Sequence, residues 1–266
     1  MGLRTRLLTA GLALGLIGGP GLTAPAGNAA PARQVTVSIS ITKPVILQGQ
    51  KTVVRGALKP RKAGAPVALR LKVTGGWKTI QKKRTTSRGT YTFTVAPQKG
   101  GVFTYRVTRQ PIRGAGQVHS RTVQLTVYRW RNVNDLDITE YDGVTDFDGP
   151  AIMDGTTYAR SIVLDADATE EDPDEPGFFV VDVHGTCALF ETTVGGLDDN
   201  TAETQVRAEV TGDDEVLSDE TYGVGEVAPL TLDIRGYSEV RVDTVAVEQD
   251  VHRGLGVGSP RMLCAS

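Results

Sequence analysis

Val67-Ala68-Leu69-Arg70-Leu71-Lys72-Val73-Thr74 puts Val67, Leu69, Leu71 and Val73 on one side of an extended chain, and Ala68, Arg70, Lys72 and Thr74 on the other. A period of two marks a strand that buries one face and wets the other. The pattern recurs on both sides of this stretch. Val35, Val37, Ile39 and Ile41 alternate with Thr36, Ser38, Ser40 and Thr42, and further runs are built on Tyr91, Phe93 and Val95, on Phe103, Tyr105 and Val107, and on Val123, Leu125 and Val127. Gly49, Gly64, Gly75-Gly76, Gly89, Gly100-Gly101 and Gly114 punctuate the runs. Roughly seven strands in under about a hundred residues, with no competing helical period, predict an antiparallel sandwich.

Charge divides the 266 residues more sharply than any turn signal. Arg33 to Arg129 carries twenty Lys and Arg and no Asp or Glu, a formal +20. Trp130 to Ser266 has seven Arg, no Lys and all thirty-one carboxylates, a formal −24. So abrupt a change predicts two domains, 33–129 basic and 130–266 acidic. Their mutual contact is expected to be electrostatic and salt-sensitive rather than a fused core, because charges more than about 8 Å apart are screened at physiological ionic strength.

Ahead of both lies a third kind of segment. Arg4 and Arg6 precede an apolar run from Leu7 to Ile17, and small residues and prolines follow through Ala32. That order is a secretory signal peptide over residues 1–32, with cleavage expected after Ala29 or Ala32. The apolar run is far shorter than the about 20 residues of a membrane span. An exported destination, in solution or at the cell wall, favours pairing of the two cysteines, Cys187 and Cys264, as a disulfide.

The acidic half also reads as strands, at Phe178–Val183, Ala188–Val194, Val206–Val210, Leu230–Ile234, Val240–Val247 and Pro260–Cys264. The run from Asp165 to Glu175 reads as a solvated loop, and a short helix before Asp142 is the one helical candidate. The fold class expected is all-β: two β-sandwiches after a signal peptide.

Two resemblances refine this. Val54-Arg55-Gly56, Gly64 to Leu71, Trp77, Gly89 to Phe93 and Phe103 to Val107 resemble the immunoglobulin-like modules of secreted actinobacterial proteins, with Trp77 in the core tryptophan's place. In the acidic half the marks are Met153-Asp154-Gly155-Thr156-Thr157-Tyr158, Val183-His184-Gly185-Thr186-Cys187-Ala188-Leu189-Phe190 and Val194-Gly195-Gly196-Leu197-Asp198-Asp199. Leu232 to Tyr237 and Arg261-Met262-Leu263-Cys264 complete them. Together they resemble the NPCBM-type carbohydrate-binding module. That resemblance implies a galactose-binding-like jelly roll, frequent sugar binding and, in some members, a structural calcium ion. Two departures stand out: Ala159 to Leu164 replaces a Gly-x-Gly-x-His-Ala stretch, and Gly254-Leu255-Gly256-Val257-Gly258-Ser259 replaces an acidic, tryptophan-bearing loop.

Candidate binding residues follow from chemistry. Asp198, Asp199 and Asn200 offer oxygens to a hard cation such as calcium, or simply form an acidic turn. Lys59, Arg61, Lys62, Lys82, Lys83, Arg84 and Arg88, with no acid to offset them, predict an anion-attracting surface for wall polymers or acidic polysaccharides. Nucleic acid is disfavoured, because no recognised module appears. His119, His184 and His252 lie at no metal-ligand spacing, and neither H-E-x-x-H nor G-x-S-x-G occurs, so no catalytic residue is assigned. The sequence therefore predicts a secreted, non-catalytic protein that recognises glycans. The alternative is a cell-envelope protein that binds anionic polymers or proteins and no sugar.

Overall fold

The alternating stretches become facing sheets. In the computed structural model, which describes residues 34–111, 116–166, 177–201, 203–246 and 254–266, Thr52–Lys59 pairs antiparallel with Thr36–Val37, Ser40–Ile41 and Thr90–Val95. Opposite it, Pro66–Val73 lies between Gly76–Arg84 and Gly101–Arg109, and Val123–Asn132 follows on the far side of Gly101–Arg109. Val54, Leu58 and Phe93 from the first sheet meet Val67, Leu69, Val107, Leu125 and Val127 from the second, all essentially without solvent contact. Burying side chains of this size contributes roughly 1.5–3 kcal/mol each. The signal segment, most of the acidic run and His252 lie outside the described residues.

The second half repeats the plan with different strands. One layer runs Val144–Asp146, Ile162–Asp165, Gly254–Cys264, Cys187–Gly196 and Val227–Asp233. The other is a five-stranded sheet of Asp137–Asp142, Phe178–Asp182, Glu239–Ala246, Gln205–Gly212 and Glu215–Gly223. Ile162, Leu164, Phe179, Phe190, Val194, Leu255, Val257 and Met262 fill the space between them. The fold is all-β and sandwich-like, with no α-helix among the described residues. The helical candidate before Asp142 is a single 3-10 turn, Val133–Asp135, whose Asn134 amide donates to the Asn132 side chain at 2.9 Å. Accordingly, no helix among the described residues is long and apolar enough to cross a membrane.

Val123–Asn132 connects the two layers that lie in sequence order around residue 130. Its first part pairs with Gly101–Arg109; its last four residues pair with the final strand, Arg129 with Cys264 and Asn132 with Arg261. The strand thus runs on from one half into the other, while their apolar clusters remain separate.

Cys187 and Cys264 form the expected disulfide, directly opposite each other on neighbouring strands with Cα atoms 3.9 Å apart. It fastens the carboxyl end of the chain to the centre of the second sandwich.

Trp77 is not in the core. It sits opposite Lys72 on the outer face of its sheet, beneath the Arg106 guanidinium. A register shift between Leu69 and Arg70 places the extra residue, Ile80, in the partner strand. Beyond that bulge the outward positions of the edge strand are Trp77 and Thr79, so the indole packs on a cation instead of the apolar cluster.

Candidate functional site

The hairpin Ala151–Met153/Thr156–Tyr158 builds one wall of a cleft. Asp154 and Gly155 turn it, both at positive φ (50° and 66°). Asp-Gly is among the strongest hairpin signals, since both central residues must tolerate that backbone region. The hairpin lies against the start of the final strand, where Gly254, Gly256 and Gly258 alternate with Leu255 and Val257. A Cβ on Gly256 would overlap Met153 Sδ, and one on Gly258 would come within 2.8 Å of the Tyr158 ring. Leu255 and Val257, between them, face the core. The Gly-Leu-Gly-Val-Gly run is therefore a strand with one bare face, which explains its departure from a loop.

Asp198 ties the hairpin to the Leu197–Asn200 turn. Its carboxylate accepts the Gly155 amide at 2.8 Å, and its own amide donates to the Ile152 carbonyl at 3.0 Å. Asn200 grips Gly254 twice, accepting from its amide at 2.7 Å and donating to its carbonyl at 2.9 Å. Between hairpin and turn lies a cleft of about 400 Å³, lined by Pro150, Ala151, Ile152, Val163, Leu197, Asp198 and Asp199. Ile152 is half exposed at its rim. The cleft thus offers an aliphatic wall beside two carboxylates, and Asp199 has no hydrogen bond within the described residues.

The turn fits calcium poorly. Asn200 is committed to Gly254 and one Asp198 oxygen to Gly155, which leaves Asp199 and a single oxygen of Asp198. Calcium takes about 6–8 oxygens. Among the described residues no group of three or more His, Cys, Asp or Glu is placed to hold an ion.

The basic candidates separate. Lys59, Arg61, Lys62 and Arg88 gather at one end of the first sandwich, where the Leu58 amide donates to the Gly89 carbonyl and Gly89 packs against Arg61 and Lys62. Lys83, exposed, reaches across to Thr90–Val95, its ammonium 2.8 Å from the Thr92 carbonyl and 5.8 Å from the Phe93 ring centroid. Arg84 donates to the Gly64 carbonyl at 2.8 Å. Lys82 and Arg84, two residues apart on the edge strand, share the outer face with Trp77. Of the histidines, His184 sits at φ 47° with Nδ1 2.8 Å from Asp182, exposed and away from the cleft.

The cleft wall was missed by sequence reasoning. Ala151-Ile152-Met153 is short, and its alternation shows only when Asp154-Gly155 is taken as a two-residue turn. Trp130, the one tryptophan of the acidic half, stands on the connecting strand, with the Arg261 guanidinium 4.6 Å above its ring and Arg261 paired to Glu191 at 2.6 Å. One face of that ring is already covered.

Residues 121–254 match the family model of the NPCBM/NEW2 domain. The chain belongs to this family. The NPCBM/NEW2 match takes in the connecting strand, the hairpin, the cleft and Cys187, and stops at the first glycine of the final strand. No curated protein matches the chain. Among solved structures it is similar to the CBM36-1 domain of a multidomain xylanase from the hindgut metagenome of Trinervitermes trinervoides. The identity is 6 %, the TM-score 0.28, and the match covers 51 % of this chain and 95 % of that one. The CBM22-1–CBM22-2 tandem of Paenibacillus barcinonensis Xyn10C matches with 9 % identity and TM-score 0.31, over 86 % of this chain and 91 % of the other. The secreted serine protease VesC of Vibrio cholerae matches with 7 % identity and TM-score 0.32, over 85 % of this chain. This chain spans half the length of that protease.

Proposed function

We propose that this is an exported, non-catalytic protein whose NPCBM/NEW2 half binds glycans in the Ile152–Asp199 cleft. The observation that carries the reading is the pairing of an aliphatic wall, Pro150, Ile152, Val163 and Leu197, with the carboxylates of Asp198 and Asp199. A pyranose presents an apolar C–H face and hydroxyl donors, and this surface complements both. Asp198 and Asp199 are neighbours on one turn. They do not flank a bond from opposite sides as glycosidase carboxylates do, which supports binding without hydrolysis. The first sandwich, with its Ig-like sequence marks, then serves as a platform.

Glycan-array screening of the whole protein, followed by calorimetry on the best ligand, tests this reading. A hydrogen bond to a charged group contributes about 1.5–3 kcal/mol, so Asp199→Ala is expected to weaken binding about tenfold or more with the fold unchanged. Export is tested separately by the amino terminus of the secreted protein, expected at Ala30 or Arg33.

A further inference from the structure

The outer face of the first sandwich gathers cations that no carboxylate among the described residues pairs with. Arg70 and Arg106 are direct cross-strand partners on Pro66–Val73 and Gly101–Arg109. One step along, Thr108 pairs with Ala68, Ala68 with Lys82, and Thr108 with His119, so these residues share the face. On the other side of the arginines lie Lys72 and Trp77. Neighbouring strands are about 4.8 Å apart, and same-face residues along a strand about 7 Å. Arg70, Arg106, Lys72, Lys82 and His119 therefore form a grid across three strands and the short Val118–His119 strand beside them.

The contacts are those of an incomplete site. The Arg106 guanidinium lies over Trp77, 4.0 Å from the ring centroid, which holds it in place by cation–π attraction without using its N–H groups. Arg70 donates one Nη2 hydrogen bond to the Trp77 carbonyl at 2.7 Å. The Nε atoms of both arginines are closed off from solvent with no acceptor among the described residues. Like charges directly opposite on a sheet repel, and Arg33 to Arg129 contains no carboxylate to relieve them. The repulsion is felt locally: burial, Arg106 and Arg70 together push the His119 imidazole below its usual value. His119 Nδ1 lies 2.9 Å from Thr108 Oγ1, which keeps the ring on this face.

We infer that this face, centred on Arg70, Arg106, Trp77 and His119, binds the carboxylate or sulfate groups of an acidic polysaccharide. Guanidinium forks match oxyanions bidentately, and two of them side by side with Lys72 and Lys82 beyond suit a repeating anion better than a single small ion. The choice of a saccharide rests on the glycan-binding reading above; the anion chemistry does not. Lys82 belongs to this site, whereas Lys59, Arg61, Lys62 and Arg88 lie at the end of the sandwich and outside it.

The test is calorimetric titration of the full chain with polygalacturonate, dextran sulfate and polyphosphate at low and physiological salt. Polygalacturonate reports carboxylate recognition and dextran sulfate reports sulfate recognition. Binding of either is expected, at least tenfold weaker in R70Q/R106Q and intermediate in R70K/R106K, which keeps the charge and loses the fork. K59Q/R61Q/K62Q/R88Q removes more charge from the end of the sandwich and is expected to stay within threefold of the parent. NMR of His119 gives an independent reading: its pKa should rise on polymer binding, and should already be higher in unliganded R70Q/R106Q. The proposal is overturned if the end-cluster variant loses as much affinity as R70Q/R106Q, if polyphosphate alone binds, or if no probe binds. If R70Q/R106Q does not fold, the single variant Arg106→Gln carries the same expectation. Binding of a neutral glycan at the cleft should be indifferent to every one of these substitutions, so the two readings fail separately.

Discussion

The two halves share a fold class and treat their arginines in opposite ways. In the acidic half, Arg207 is held by Asp219 and Glu209, Arg241 by Asp243, Arg261 by Glu191, Arg235 by Asp233, and Arg160 by Asp135 and Asp148. In the basic half Arg106 rests on an indole and Arg70 on a carbonyl. A sandwich that supplies its own counterions has little net attraction to spare at those positions. One without any carboxylate must leave its cations to solvent or to a partner. The contrast teaches that charge segregation along this chain separates two kinds of surface: an aliphatic and acidic cleft on one side of residue 130, and on the other a face of arginines with no carboxylate in its own half.

The largest effect expected is on the disulfide. By the chain-entropy model, opening a loop with a sequence separation of 77 removes about 4.5 kcal/mol. C187S/C264S should therefore lower stability by up to about that amount. Hydrogen exchange should show the loss in Cys187–Gly196, with Thr52–Lys59 retaining its protection. Equal loss in both halves would mean that the connecting strand makes them one cooperative unit. Next comes Gly256→Ala, whose Cβ must displace Met153 and Leu197. Overpacking of this kind costs about 1–3 kcal/mol, and the hairpin it displaces is the cleft wall, so glycan affinity should fall with stability. R70Q/R106Q should do the reverse. Removing a cross-strand like-charge pair is expected to stabilise the first half by about 0.2–1 kcal/mol while its polyanion affinity is lost; destabilisation would show the pair to be structural.

The smallest effect is in acid, and it separates the halves by pH. Arg235 holds the Asp233 carboxyl down at about 2, and Arg160 and Arg207 hold Asp148 and Asp219 below the usual carboxylate range. Groups lowered on folding contribute above their unfolded pKa and lose that contribution as pH falls through the folded value. The acidic half should therefore soften between about pH 4 and about 2. The basic half has no carboxylate from Arg33 to Arg129. Its one histidine, His119, is likewise held below its usual value by burial, Arg106 and Arg70, so its stability should begin to decline as pH drops below about 6.5 and then level off. Melting curves across pH 2–8, read by probes in each half, check both.

Much of this was legible in the residues. Alternation at Val67–Val73 and Tyr91–Val95 gave the first sandwich, and the cysteine count gave the disulfide. The rest needed three dimensions. Trp77 looked like a core residue because nothing local announces the bulge after Leu69 that turns it outward. Gly254 to Gly258 looked like a loop because glycine at every second position hides a strand whose other face is Leu255 and Val257. Asp198 and Asn200 looked like cation ligands, and only the structure shows their side chains engaged by Gly155 and Gly254. Arg70 and Arg106 are 36 positions apart, and pairing alone sets them side by side.

NMR of the whole protein during titration with its best neutral glycan tests the central claim most directly. Glycan binding in the cleft predicts shifts concentrated at the Ile152, Val163 and Leu197 methyl groups and the Asp199 amide, abolished by Asp199→Ala. Shifts centred elsewhere, or saturable binding undiminished by that substitution, would contradict it.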